Sequence, residues 1–142
     1  MDSLTSAICR ALTTYFVIRK NEPGPCLEAG RDPEVGLRRR RAELLFPIAQ
    51  DKGVAVIANR PFGGGDILAR LRGKALPEWA AEFDCQSWAQ FLLKWIVAHP
   101  GITCAIPATS KLRHLEENMR AGAGKLPDAS MRQRMVEAVT NA

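Results

Sequence analysis

The chain has 142 residues, 46% of them hydrophobic and 25% charged, and a net charge of +5. These values exclude global disorder and fit one globular domain. The length excludes a complete eight-stranded α/β barrel, which needs at least roughly 200 residues. No run approaches the stretch of about 18 apolar residues that a transmembrane helix requires.

Character changes near residue 42. Residues 1–42 hold eight Lys/Arg and five Asp/Glu, against twelve and ten in residues 43–142. Residues 3–19 are apolar enough for an isolated helix. Their start, Met1-Asp2, lacks the basic cluster of a signal peptide. Residues 21–41 carry three prolines and three glycines and end in the run Arg38 to Arg41. That composition predicts a loop or linker without regular secondary structure. A basic run can bind nucleic acid or an anionic membrane. No aromatics interleave with it to stack bases, so a solvated loop is the reading adopted. Neither nucleic acid nor membrane is expected as a partner.

From Arg41 the signals become regular. Residues 41–50 predict a short helix interrupted or restarted at Pro47. Gly53 suits a left-handed stop. Val54 to Ala58 (VAVIA) is a β-branched apolar run, which predicts a strand buried on both faces of a parallel sheet. Asp66 to Arg72 predicts a short helix. A longer one is expected from about Asp84, a suitable N-cap, to His99. Gln86, Gln90 and Lys94 recur every four residues as its one narrow wet stripe. Trp88, Phe91, Leu92, Trp95 and Ile96 cover the rest, so the helix must be largely buried.

Pro100-Gly101 ends that helix, and Ile102 to Ile106 predicts a second strand. A further helix, about Lys111 to Met119, has an apolar stripe at Leu112, Leu115 and Met119. Asp128 predicts the cap of a last helix bearing Met131, Met135, Val136 and Val139. The order strand, helix, strand, helix predicts an α/β unit with a parallel strand pair. Two strands alone leave such a sheet uncovered.

Cys9, Cys26, Cys85 and Cys104 form no Cys-x-x-Cys pair. With His99 and His114 they give no zinc spacing, so no metal site is assigned. Cys85 and Cys104 lie in apolar segments and read as buried free thiols, which suits the cytoplasm.

Ligands of parallel α/β units gather at the carboxyl ends of the strands. The loop Asn59 to Gly65 has three glycines that can expose amides to a phosphate, or that simply make a flexible turn. Thr109 and Ser110 open a helix, where hydroxyls and amides can hold an anion or merely cap it. His114, Glu117 and Asn118 share one helix face, fit for reading a base or for facing solvent.

Three stretches carry a resemblance: Leu45 to Phe62, Trp88 to Pro100, and Ile102 to Asn118. Together they resemble the C-terminal part of the aldo/keto reductase family, a family of α/β barrels that reduce carbonyls with NADPH or NADH. The implied fold is a partial TIM-type (β/α)8 barrel. It comprises the last two strands and their helices, preceded by an irregular N-terminal segment. Residues 1–42 would be unrelated or poorly ordered, and residues 43–142 the C-terminal oxidoreductase part.

By this resemblance Asn59 takes the place of an aromatic that stacks on the nicotinamide. Phe62, Gly63 and Gly64 match the loop around the pyrophosphate. Thr109 and Ser110 match residues near the ribose 2′-phosphate. His114 stands where an arginine often contacts that phosphate and adenine, Ala108 replaces a frequent lysine, and Glu117 and Asn118 match the adenine-binding pair. The implied cofactor is NADP or NAD. The family's catalytic Asp, Tyr, Lys and His belong to the first half of the barrel, which residues 1–42 do not resemble, so no catalytic residue is assigned.

The expected function is that of an aldo/keto reductase from a truncated or frameshifted gene, retaining part of the cofactor site but inactive alone. The alternative is a non-enzymatic module that docks a partner protein through bare strand faces. A third reading, a nucleic-acid binder, would act through Arg38 to Arg41.

Overall fold

The computed structural model describes the backbone of residues 14–18 and 27–28, and residues 45–142 with their side chains. Among the described residues four strands form one sheet: β1 (Thr14–Ile18), β2 (Leu27–Glu28), β3 (Ala55–Asn59) and β4 (Cys104–Ile106), in the order β2-β1-β3-β4. β3 and β4 are parallel, with Ile57 opposite Cys104 and Asn59 opposite Ile106. β1 runs antiparallel to both β2 and β3, placing Tyr15 opposite Ala58.

The parallel pair is as expected; the N-terminal part is not. Residues 14–18 (TYFVI) are strand rather than helix, and residues 27–28 pair with them. Aromatic and β-branched side chains fit a pleated surface, and the free edge of β3 offers that run a ladder that an isolated helix lacks. The irregular segment is therefore partly sheet. The run Arg38 to Arg41, Cys9 and Cys26 lie outside the described residues.

Residues 45–51 are helical across Pro47 (α1). Gly53 then turns left-handed at φ 62°, and the Val54 amide donates to the Ala49 carbonyl at 2.8 Å. On β3, Val56 and Ala58 are buried and the alternate residues half-buried. On β4, Cys104 and Ile106 are exposed. Along β3 and β4 the face of Val56 and Ala58 is thus better covered than the face of Ile57, Cys104 and Ile106, and Cys104 is not the buried thiol expected. β4 also starts two residues late. The Val56 amide donates to the Thr103 hydroxyl at 3.1 Å, a side-chain bond where strand pairing would use a carbonyl.

Between the parallel strands lie α2 (Asp66–Arg70), a 3-10 turn at Glu78–Phe83, and α3 (Trp88–Val97). α4 (Leu112–Arg120) and α5 (Ala129–Asn141) follow β4. The N-cap of α3 is Ser87, whose hydroxyl accepts from the Gln90 amide at 3.3 Å. Asp84 instead ends the 3-10 turn in a left-handed conformation, φ 55°. Asp128 does cap α5, accepting from the Met131 amide at 2.8 Å.

α3 is the centre of the molecule. Phe91, Leu92, Leu93, Trp95 and Ile96 are buried against Ile67, Leu71, Phe83, Met135, Val136 and Val139. Each large side chain so buried contributes about 1.5–3 kcal/mol. The Ser87 cap contributes about 1 kcal/mol, so packing, not capping, fixes this helix. Gln90 and Lys94 are 1% and 0% exposed, so most of the expected wet stripe is dry. The apolar stripe of α4 shows the reverse: Leu112, Leu115 and Met119 are all exposed. No helix among the described residues is long and apolar enough to cross a membrane.

Candidate cofactor-binding cleft

Because Asn59 lies opposite Ile106, the loops leaving β3 and β4 emerge side by side. Between them is a cleft of about 380 Å³. Asn59, Arg60, Pro61 and Phe62 form one wall, continued by Gly64, Gly65 and Leu68. Ile106, Ala108 and Thr109 form the opposite wall, and α4 contributes His114, Glu117 and Asn118. Seven of the nine residues expected at a cofactor site therefore meet in one cleft: Asn59, Phe62, Gly64, Thr109, His114, Glu117 and Asn118. Gly63 and Ser110 do not line it.

The glycine loop is more committed than its composition suggests. Gly63, Gly64 and Gly65 adopt φ of 61°, 84° and 105°, a region that disfavours side chains. The Gly63 amide donates to the Arg60 carbonyl and the Gly65 amide to the Phe62 carbonyl, both at 2.9 Å. Two of the three glycine amides are thus used to make the turn instead of facing a phosphate. A Cβ on Gly64 would lie 2.8 Å from a guanidinium nitrogen of Arg60, so this position also makes room for the arginine.

Arg60 is the cleft residue that sequence reasoning missed. Its backbone is left-handed at φ 51°, uncommon for any residue but glycine, and a residue before proline is expected to be extended. The only sequence signal was its place between Asn59 and the glycines. It supplies a cation at the cleft, where Ala108 supplies none.

On the other wall the Thr109 hydroxyl accepts from the Lys111 amide at 3.2 Å, shaping the entry to α4. Ser110 is exposed. His114, Glu117 and Asn118 are half-buried on one face of α4. The first amides of a helix have no intrahelical partners and carry its positive pole. This end of the cleft therefore suits an anion, with an imidazole, a carboxylate and a carboxamide further along to meet a polar ring edge. A cleft of about 380 Å³ falls within the range of small-molecule sites.

A sequence profile of the aldo/keto reductase family matches residues 27–136. This chain belongs to the aldo/keto reductase family. The match takes in β2 as well as everything from β3 to most of α5. An uncharacterized oxidoreductase of Schizosaccharomyces pombe is 33% identical over 90 residues, 63% of this chain and 28% of that relative's length. The chain therefore spans less than a third of that curated relative. No solved structure matches the chain. Membership agrees with the parallel β3–β4 pair as part of a TIM-type barrel, while the antiparallel β1 makes the sheet of this chain mixed. Among the described residues no cluster of His, Cys, Asp and Glu could hold a metal ion.

Proposed function

We propose that this chain binds NADP(H) or NAD(H) through its adenosine half and supplies that half-site for carbonyl reduction. One observation carries the reading: residues 59–64 and 109–118, distant in sequence, converge on a single cleft. Its chemistry fits the group. Thr109 and the start of α4 would face a ribose phosphate, with His114 beside it. Asn118 and Glu117 would meet the adenine edge. Arg60, Phe62 and Gly64 would flank the pyrophosphate, and Asn59 would lie toward the nicotinamide. When bound, the reduced nicotinamide supplies the hydride.

The proton for the carbonyl oxygen needs its own carrier. Tyr15 is the one tyrosine of the sequence, and it sits in β1 opposite Ala58. We assign residues 43–142 to the C-terminal part of the reductase, since they offer no match to the family's catalytic Asp, Tyr, Lys and His, and hold that the chain by itself does not turn over. A reducing compartment such as the cytoplasm suits Cys85 and Cys104, which carry no disulfide.

Calorimetric titration with adenosine 2′,5′-bisphosphate tests the assignment. Binding should weaken about three- to tenfold in Asn118→Ala, the loss of one hydrogen-bonding group, and stay unchanged in Arg38→Ala. Equal affinity in wild type and Asn118→Ala would remove the adenine assignment. Reproducible aldehyde reduction by the chain alone, abolished by Tyr15→Phe, would overturn the inactive reading.

A second reading has its own observation. Leu112, Leu115 and Met119 are 71%, 48% and 70% exposed, an unpartnered apolar stripe of the kind that marks interaction surfaces. A complementing polypeptide could cover it. Leu112→Gln and Met119→Gln would then abolish association with that polypeptide while changing the chain's own stability by no more than about 0.5 kcal/mol.

A further inference from the structure

We infer that Gln90 and Lys94, both on α3, are positioning residues that hold the α4 wall of the cleft. The proposal rests on the cofactor reading above but concerns side chains outside the cleft. α4 buries none of its own residues, and its apolar side chains point to solvent. Apolar burial therefore does little to fix it. Two polar side chains from the core reach it instead.

The Gln90 carboxamide is 1% exposed. Its Nε2 donates to the Glu117 carbonyl at 3.3 Å, while its Oε1 accepts from the Gln86 amide at 2.8 Å. One side chain thus joins the start of α3 to the turn of α4 that bears Glu117 and Asn118. The Lys94 ammonium is fully buried. It donates to the Ala123 carbonyl at 2.5 Å and to the Lys125 carbonyl at 3.2 Å, in the turn that follows α4. A buried cation is costly unless it is hydrogen-bonded. The carbonyls at and beyond a helix C-terminus are suited to receive it. Gly124 makes room: a Cβ there would lie 2.6 Å from an Asp84 carboxylate oxygen and 3.8 Å from the Lys94 nitrogen. α4 is thereby tethered at two points, and His114, Glu117 and Asn118 ride on it.

The test compares Gln90→Met and Lys94→Met, which keep apolar bulk but lose the donors, with Val139→Ala. Val139 is buried in α5 away from the cleft lining, so it serves as a core-weakening control. Two measurements are made on each folded chain, well below its Tm. One is the affinity for adenosine 2′,5′-bisphosphate; the other is amide hydrogen exchange across residues 114–120. Both tether variants should bind roughly three- to tenfold more weakly and exchange faster across 114–120. Val139→Ala should lower Tm without either change. Should one tether variant fail to fold, the other decides. Wild-type affinity and wild-type exchange in a folded tether variant would overturn the proposal, as would equal effects from Val139→Ala. If the wild type binds no nucleotide while the exchange pattern holds, the cofactor reading fails and the tethers stand.

Discussion

Trp95 and Arg132 exchange hydrogen bonds in both directions. The indole Nε1–H donates to the Arg132 carbonyl at 3.0 Å, and the Arg132 Nε–H donates to the Trp95 carbonyl at 2.9 Å. The guanidinium carbon also lies 4.6 Å from the indole ring centroid. This pair locks α5 onto α3, the helix whose first turn borders the cleft through Ala89. Lysine has no planar fork to repeat the arrangement. Arg132→Lys should therefore cost about 1–3 kcal/mol, the worth of a charged hydrogen bond plus a cation–π contact. Urea denaturation should show it as a lower midpoint at an unchanged m-value; an unchanged midpoint would refute it.

Gly101 follows α3 for a steric reason. A Cβ there would lie 2.8 Å from Cγ and 2.9 Å from Cβ of Phe46. Gly101→Ala should destabilise by about 1–3 kcal/mol, the usual range for overpacking. Phe46→Ala in the same chain should relieve part of that loss. A double-mutant cycle measures it, and strict additivity would show that the two residues do not collide.

His99 links stability to pH. Burial holds its imidazole below the ordinary value of about 6.5, and the Arg132 charge acts in the same direction. The Gly101 amide donates to its Nδ1 at 3.0 Å, which also favours the neutral ring. The unfolded chain therefore takes up a proton at a higher pH than the folded chain does. Stability should fall as pH drops through about 6.5 toward the depressed folded value, and level off below it. His99→Gln should flatten the stability–pH curve between about 7.5 and 5. A slope unchanged by that substitution would assign the effect elsewhere.

Periodicity made much of this chain readable. Val54 to Ala58 and Ile102 to Ile106 read as strands, found at Ala55–Asn59 and Cys104–Ile106, and the buried helix expected over about Asp84 to His99 is there at Trp88–Val97. Asp128 stood where a cap is needed and makes the bond. Thr14–Ile18 lies in an apolar stretch whose local pattern suits a helix; its pairing as a strand depends on β3, about forty residues later, which no local signal reports. Gln90 and Lys94 read as wet because polar side chains default to solvent, and the backbone carbonyls of Glu117, Ala123 and Lys125 that accept from them leave no trace in spacing. In the cleft, the residues of one wall were legible through the family resemblance of Ile102 to Asn118, not through spacing alone. Arg60 escaped because a left-handed residue before proline contradicts the usual rule. Ser110 offers the same helix-opening hydroxyl as Thr109, but only Thr109 lines the cleft.

The most direct test is an NMR titration of the folded chain with adenosine 2′,5′-bisphosphate, read residue by residue. The cofactor reading expects shifts clustered on Asn59 to Gly65 and on Ala108 to Asn118. Shifts confined to Arg38 to Arg41 and vanishing with salt would contradict it, showing an anion held by the basic run and not a nucleotide in the cleft.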